Sequence, residues 1–564
     1  MAKKMWSAAS AVVILTSLVV ACSSGDTGTP PGATTAPASS TPAGAPSSVS
    51  PNTESSSSPP TAGSSGGSTV STTARSIPDN VDPNASVVLM FPTAPGPFDP
   101  VAGVSTGTDQ TYYSPVLERL TTLNSDLTLA PQLATAWKAG ADGLSWTFTL
   151  RDGVKFQDGT PFNADAVVKN IQRIQAAKTS VAASQISIVT GVTADSDTQV
   201  TFTLSKPDPI FPKRLALFPE AGSIISPASF NSPDVGTKPV GTGPYSVSAS
   251  SDTDVTYEKV ADYWDPSVVA TTPARITIRA FPDPVAAANA LQSGQVDSMT
   301  INLMTDDLIN LGKSDKYDMQ LYDATSRQAI FATNTNKKPF SDVRVRQAIS
   351  LALNREEITA GAFAGNCTPT IQPFGSGLPG HDDSLKADNY QNQDQARSLL
   401  AAAGASNINV KGLFGEGFEP LATIIQAELA EVGINITWAA VPTGQWLAMW
   451  RQGDYDVTFF VPGPLPDEQL VLEQYYTGLN FVGTPPADLA ALVADAAGRP
   501  LDSPERQAGF QEISKYIAAN PTNIPICFSP PATLHSTRLG GFADMAYPQI
   551  QQTYDVSKLF TTKS

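Results

Sequence analysis

Residues 144–174 read LSWTFTLRDGVKFQDGTPFNADAVVKNIQRI, and the order of elements in this stretch sets the fold class. Trp146, Phe148 and Leu150 alternate as in a half-buried strand, and Asp152-Gly153 and Asp158-Gly159 mark two turns. Asn163 stands where a helix N-cap is wanted, Asp165 faces the helix dipole, and Val167, Val168, Ile171 and Ile174 recur at helical spacing. The stretch predicts a strand-turn-strand-turn-helix unit. The same mixture extends to both sides. SVVLMF (86–91) is a buried strand pattern ended by a proline cluster, and a helical segment follows at about 110–120. QVTFTL (199–204) alternates like a strand, and Gly241 and Gly243 flank a bend before another strand that Tyr245 enters. After ARITIRAF a helix closes at Gly294. Asp342 can cap one helix, and Asn354 with Glu357 resembles a capping box for the next. Residues 422–438 give an amphipathic helix, a glycine stop at Gly433 and a strand. Strands and helices mixed throughout mean an α/β protein.

Composition narrows the function classes. The globular part, from about residue 86 to 564, is too long for one ordinary core and suits two lobes. The net charge of −17 argues against nucleic acid or anionic lipid as a partner, because such a surface is repelled from phosphates. Two histidines, His381 and His535, make a histidine-built metal site unexpected, and no cofactor is expected. Beyond Cys22 the cysteines are Cys367 and Cys527. An exported domain can keep one disulfide between them, but residues so far apart equally suit separate buried thiols, and the second reading is the expectation.

The N-terminus has its own pattern. Lys3 and Lys4 precede an apolar run over residues 11–21, a signal of secretory length too short to span a bilayer. Leu18-Val19-Val20-Ala21 then meets Cys22, which resembles the bacterial lipobox, whose cysteine is acylated and becomes the new N-terminus. Two acyl chains would hold the protein at a membrane surface, each buried methylene contributing about 0.8 kcal/mol. The stretch after Cys22 is Ser, Thr, Pro, Gly and Ala with hardly a large apolar residue, so it reads as a disordered tether over 22–85 with a reach of roughly 40 Å.

Several segments together resemble one family. They are LAPQLATAWKAGADGLSWTFTLRDGVKFQDGTPFNADAV, VGTGPY, ADYWDP (261–266), LQSGQVD, PFSDVRVRQAISLALNREEI, and QAELAEVGINITW with GDYDV. In this order they are similar to the extracytoplasmic solute-binding proteins of ABC importers, of the peptide- and nickel-binding (family 5) type. The resemblance implies a two-lobe fold like the large peptide-binding periplasmic proteins (type II), with an inserted subdomain in lobe one. Lobe one is expected at 86–300 plus 525–564, the insertion near 128–230, and lobe two at 301–524, with NIPICFS as the return crossing. It also implies the mechanism: a peptide or peptide-sized solute enters the cleft, the lobes close by hinge rotation, and the closed form docks on the permease and ATPase complex. A lipid-anchored, extracytoplasmic monomer is expected. The same fold would also serve a non-transport envelope lipoprotein in sensing or cell-wall assembly.

By the same resemblance the cleft is lined by Val104, Ser105 and Thr106 after the first strand, and by Trp446, Trp450, Arg451, Phe459, Phe460 and Asp467 around TFFVPGPLPDEQ. Peptide-binding relatives carry an aspartate here that pairs with the peptide α-amine. This chain has Pro462, Gly463, Pro464 and Leu465 in that stretch, with Asp467 the nearest acid. Core packing is the competing reading of the four aromatic residues. An enzyme has one literal hook, GVSTG at 103–107, but a nucleophile elbow needs an apolar strand directly before it, and Pro100 precedes this one within a loop. No catalysis is expected.

Overall fold

The strand expected at SVVLMF forms over Ser86–Phe91 and lies within a seven-stranded sheet. The computed structural model describes residues 77–563 apart from 103–109, 302, 323–326, 389, 464, 479–480 and 547–553. In spatial order the first sheet runs Tyr317–Leu321, Ala532–Ser536, Ser298–Ile301, Ser86–Phe91, Arg275–Ala280, Asp254–Lys259 and Tyr245–Ser250. Ser86–Phe91 pairs in parallel with both neighbours. Both faces are covered: Val87, Leu89, Tyr245, Tyr257 and Ile276 pack on one, Met90, Leu291, Met299 and Leu534 on the other. Burial on both faces is why the central strand SVVLMF is a nearly continuous apolar run, while the outer strands Asp254–Lys259 and Tyr245–Ser250 keep polar residues.

A six-stranded sheet organises the second lobe, in the order Thr368–Pro369, Asn523–Phe528, Gln328–Thr333, Val457–Phe460, Ile408–Gly415 and Ile434–Val441. The chain changes sheets after Leu321 and after Phe528, later than the expected boundaries at 301 and 525. The reason is pairing: Tyr317–Leu321 and Ala532–Ser536 form an antiparallel ladder that extends the first sheet, and Asn523–Phe528 pairs with Gln328–Thr333 inside the second. A disulfide joins Cys367 to Cys527, with Cα atoms 5.6 Å apart. The separate-thiol expectation is corrected by that sheet, whose register sets Pro369 opposite Cys527 and so brings Cys367 alongside.

Residues 134–204 contribute a separate four-stranded antiparallel sheet, Ala134–Ala139, Ser145–Leu150, Gln199–Leu204 and Val189–Ser196. Phe148 and Phe202 from adjacent strands lie edge to face at 5.4 Å, and Phe211 closes on Phe202 at 5.3 Å. Asn163 caps the helix Ala164–Ala176 by accepting from the Ala166 amide, as its place before the apolar repeat requires. The strand expected between the two turns shrinks to a single bridge, Lys155 with Pro161. The helix expected at 110–120 is one turn, Gln110–Tyr113. Beyond it the Val116 carbonyl lies where a Cβ at Gly241 would sit, 2.0 Å away, so only glycine admits this approach.

The motif LRDG and the motif ADYWDP meet here. Glu118 is buried and accepts from Tyr263 Oη and Trp264 Nε1, each at 2.8 Å, while the Arg151 guanidinium covers the Trp264 ring at 4.2 Å. Burial pushes the Glu118 carboxyl up to about 7, against the pull of the Trp264 and Tyr263 hydrogen bonds. Burial likewise raises Glu428 to about 8, against the Asn354 amide that it accepts. That contact also takes the Asn354 N–H that a capping box would give to Glu357, so only half of the box forms. Both folded-state values exceed the ordinary carboxyl value of 4.5, so the folded chain holds more protons and stability falls as pH rises through 4.5 to 8. We expect the thermal midpoint to drop across that window, with Glu118 contributing on the order of 3 kcal/mol. Glu118→Gln should flatten the slope between pH 5 and 7 while lowering the midpoint itself, since an amide matches two facing donors poorly. A wild-type midpoint constant from pH 5 to 8 would contradict this reading.

Candidate binding cleft

The carboxyl ends of parallel strands are where open α/β sheets place ligands, and both lobes turn theirs toward a shared cavity of about 1070 Å³. From the first lobe come Met90 and Pro92 to Ala94 at the end of Ser86–Phe91, Phe281 after Arg275–Ala280, and Ile301, Leu303 and Met304 at and after the end of Ser298–Ile301. The helices Pro284–Gln292 and Asp306–Gly312 add Ala288 and Leu308. The second lobe answers with Ala360 to Ala362 and Ala364, with Glu416 to Phe418 after Ile408–Gly415, and with Pro442 and Gln445 after Ile434–Val441. The lining is mainly aliphatic, Met and Pro. Among the described residues its charged members are Asp306, Asp307 and Glu416, all exposed at the rim, and none is Lys or Arg.

A second inter-lobe contact joins the helix Phe211–Leu217 to the helix Glu468–Tyr475 of the second lobe. Arg214 donates through Nη1 and Nη2 to the two Glu473 oxygens at 2.7 and 3.0 Å, and through Nε to Asp208 at 2.6 Å. Although burial disfavours the charge, Asp208 and Glu473 together raise the guanidinium pKa, and Arg214 lowers that of Glu473 against its own burial. Lys213 Nζ donates to the Pro466 carbonyl at 3.1 Å and lies 3.7 Å from Asp467.

The expected site residues do not converge on the cavity. Val104, Ser105 and Thr106, together with Cys22 and the tether as far as residue 76, lie outside the described residues, while residues 77–85, expected as the end of the disordered tether, instead pair with the first lobe through the Val81–Thr562 bridge and the Asp82 amide on the Thr561 carbonyl. Trp450 is fully buried, and Phe459 packs against Phe414 and Trp438 at 5.6 and 5.3 Å, so these two are core. Asp467 Oδ1 accepts from the Gln469 and Leu470 amides as the helix N-cap, which a residue just ahead of an apolar helix is placed to do. It does not reach in as a replacement amine anchor. Trp446 is half-buried and stacks on Phe460 at 5.3 Å, while Arg451 is exposed. Pattern reading passed over Ala288, Leu303, Met304, Phe418 and Gln445. The signal available for them was position alone, since each follows the end of a strand or opens the next helix. Among the described residues no three His, Cys, Asp or Glu side chains are placed to hold a metal, and no helix is long and apolar enough to cross a membrane.

Comparison with known proteins agrees with this architecture. The nickel-binding periplasmic protein of Escherichia coli K12 is 28% identical over 400 residues, 66% of this chain and 74% of its own length. The glutathione-binding protein GsiB of the same strain is 30% identical over 357 residues, 62% of this chain and 67% of its own. Among solved structures, DppA of Helicobacter pylori with the peptide STSA superposes with a TM-score of 0.74 at 22% identity, covering 86% of this chain and 99% of that one. AppA of Bacillus subtilis with a nonapeptide gives 0.73 at 20%, covering 85% and 99%. These two establish the fold. Residues 128–481, more than half of the chain, match the family described as bacterial extracellular solute-binding proteins, family 5. With two lobes around one cleft and a family-wide match through both, the chain belongs to the family 5 solute-binding proteins of ABC importers and is not an enzyme.

Proposed function

We propose that this protein is the membrane-anchored substrate-binding subunit of an ABC importer, which captures a peptide or peptide-sized solute by hinge closure and delivers it to the permease. The observation that carries the reading is the cavity walled by both lobes: a ligand touching both walls favours the closed arrangement over the open one, and only such differential affinity can drive closure. Its volume, about 1070 Å³, is at the upper end of small-ligand pockets and suits a short peptide. Relatives named for glutathione, for nickel and for peptides support a solute of this size class. The anchor rests on the apolar run that ends at Cys22. We assign the first lobe to about 86–322 plus 529–564, with the inserted subdomain near 128–230, and the second to about 327–528. Val104 to Thr106 are also assigned to the ligand, whereas Trp446 and Phe460 stack on each other outside the cavity lining and are assigned to packing.

Native mass spectrometry of protein purified without refolding tests capture directly. We expect a co-purified mass that is lost on denaturation, and a ladder of peptide masses would identify the class. Bare protein that also shows no compaction with any peptide pool by X-ray scattering would overturn the reading.

A further inference from the structure

The charge pattern of the cavity restricts what it accepts, and this deepens the capture reading and rests on it. Both walls are mainly apolar, with Thr93, Asn289, Thr300 and Gln445 among the uncharged polar members, and the first-lobe rim carries Val285, which at 67% exposure leads the exposed large apolar side chains among the described residues. An exposed valine at the mouth of an apolar cavity is surface that a ligand would cover. The three charged lining residues are all acidic and come from both lobes, Asp306 and Asp307 from one and Glu416 from the other. Among the described residues no lysine or arginine lines the cavity to neutralise a ligand carboxylate or phosphate, and closure would bring such a group between acids in a water-poor space. Asp467 is occupied as a helix cap beside Lys213, so it offers no alternative amine site. We propose that, within the peptide-sized class, the cavity takes an apolar-bodied solute without an acidic group, uncharged or bearing an amine that lies toward Asp306 and Asp307, and so rejects peptides that keep a free C-terminal carboxylate.

The test uses the uncharged fluorophore N-phenyl-1-naphthylamine as probe, with decylamine, decanol and decanoate as competitors of one chain length. We expect saturable one-site enhancement, displaced by decylamine and decanol at concentrations at least tenfold below that needed for decanoate. Ala288→Trp, which places an indole in the cavity, should weaken probe binding at least tenfold. Ala288 is half-buried, so Asp306→Asn with Asp307→Asn, both exposed, gives a test independent of packing: it should remove most of the bias against decanoate. Equal displacement by all three competitors, or an unchanged probe affinity in folded Ala288→Trp, would overturn the assignment. An anionic or sugar-like solute, or a ladder of peptides with free C-terminal carboxylates, released in native mass spectrometry would also overturn it while leaving capture standing. Probe binding without compaction in X-ray scattering would support the cavity assignment and count against hinge capture.

Discussion

Reduction of the Cys367–Cys527 disulfide should destabilise the second lobe by about 5 kcal/mol, the value that chain entropy gives for a loop of this length. The bond closes a sequence separation of 160 residues, which holds most of the second sheet and the helices packed on it. Its cost to the folded state is small, because both cysteines already sit in the core, Cys527 fully buried and Cys367 nearly so. The stabilisation therefore acts on the unfolded chain, which loses conformations when the loop is closed. For a lobe of this size the thermal midpoint should fall by about 10–20 °C. Calorimetry with and without a reductant, and of Cys367→Ala with Cys527→Ala, checks it. A midpoint unchanged after mass spectrometry has confirmed two free thiols would show that the reduced chain stays tightly restricted by other means. Loss of the transition in the first lobe instead would mean that the lobes unfold as one unit.

That bond was also among the features hardest to see in the sequence. Local signals carried well: SVVLMF became a strand over the expected residues, Asn163 capped its helix, and Gly433 adopted the left-handed conformation that its stop position requires. Each depends on a few neighbouring residues, so periodicity and turn chemistry suffice. Contacts between distant segments left no such trace. Cys367 meets Cys527 only through a sheet register, Asn354 gives its N–H to Glu428 across 74 positions, and the helix expected at 110–120 ends early where Val116 meets Gly241 and Gly243. The cleft shows the same division. Aromatic residues near GDYDV stood out by type, yet Trp450 and Phe459 serve the core. The residues that line the cavity are ordinary Ala, Leu, Met and Pro, selected by where strands end and not by what they are.

Arg214→Met should weaken both the docking of the lobes and ligand affinity, the affinity at least tenfold. The guanidinium is mostly buried and links Asp208, whose side chain is 1% exposed, to Glu473 of the other lobe. Removing it strands a buried carboxylate on one side and frees the other from its lobe partner, and breaking such a pair typically costs 3–5 kcal/mol. The loss divides in two. The Asp208 part lies beside the Phe148–Phe202–Phe211 cluster and should appear as lower thermal stability of the inserted subdomain. The Glu473 part exists only while the helices Phe211–Leu217 and Glu468–Tyr475 touch, so it should appear as a shift toward the open state. Because apparent affinity scales with the fraction of protein in the binding-competent state, each 1.4 kcal/mol lost from closure raises Kd about tenfold once the open form dominates. Glu473→Gln separates the two effects. It leaves Asp208 paired with Arg214, so stability should change little while the radius of gyration of the liganded protein rises toward that of the open form. If Glu473→Gln lowered the midpoint as far as Arg214→Met and left affinity unchanged, the contact would be structural and closure would be governed by the cavity walls alone.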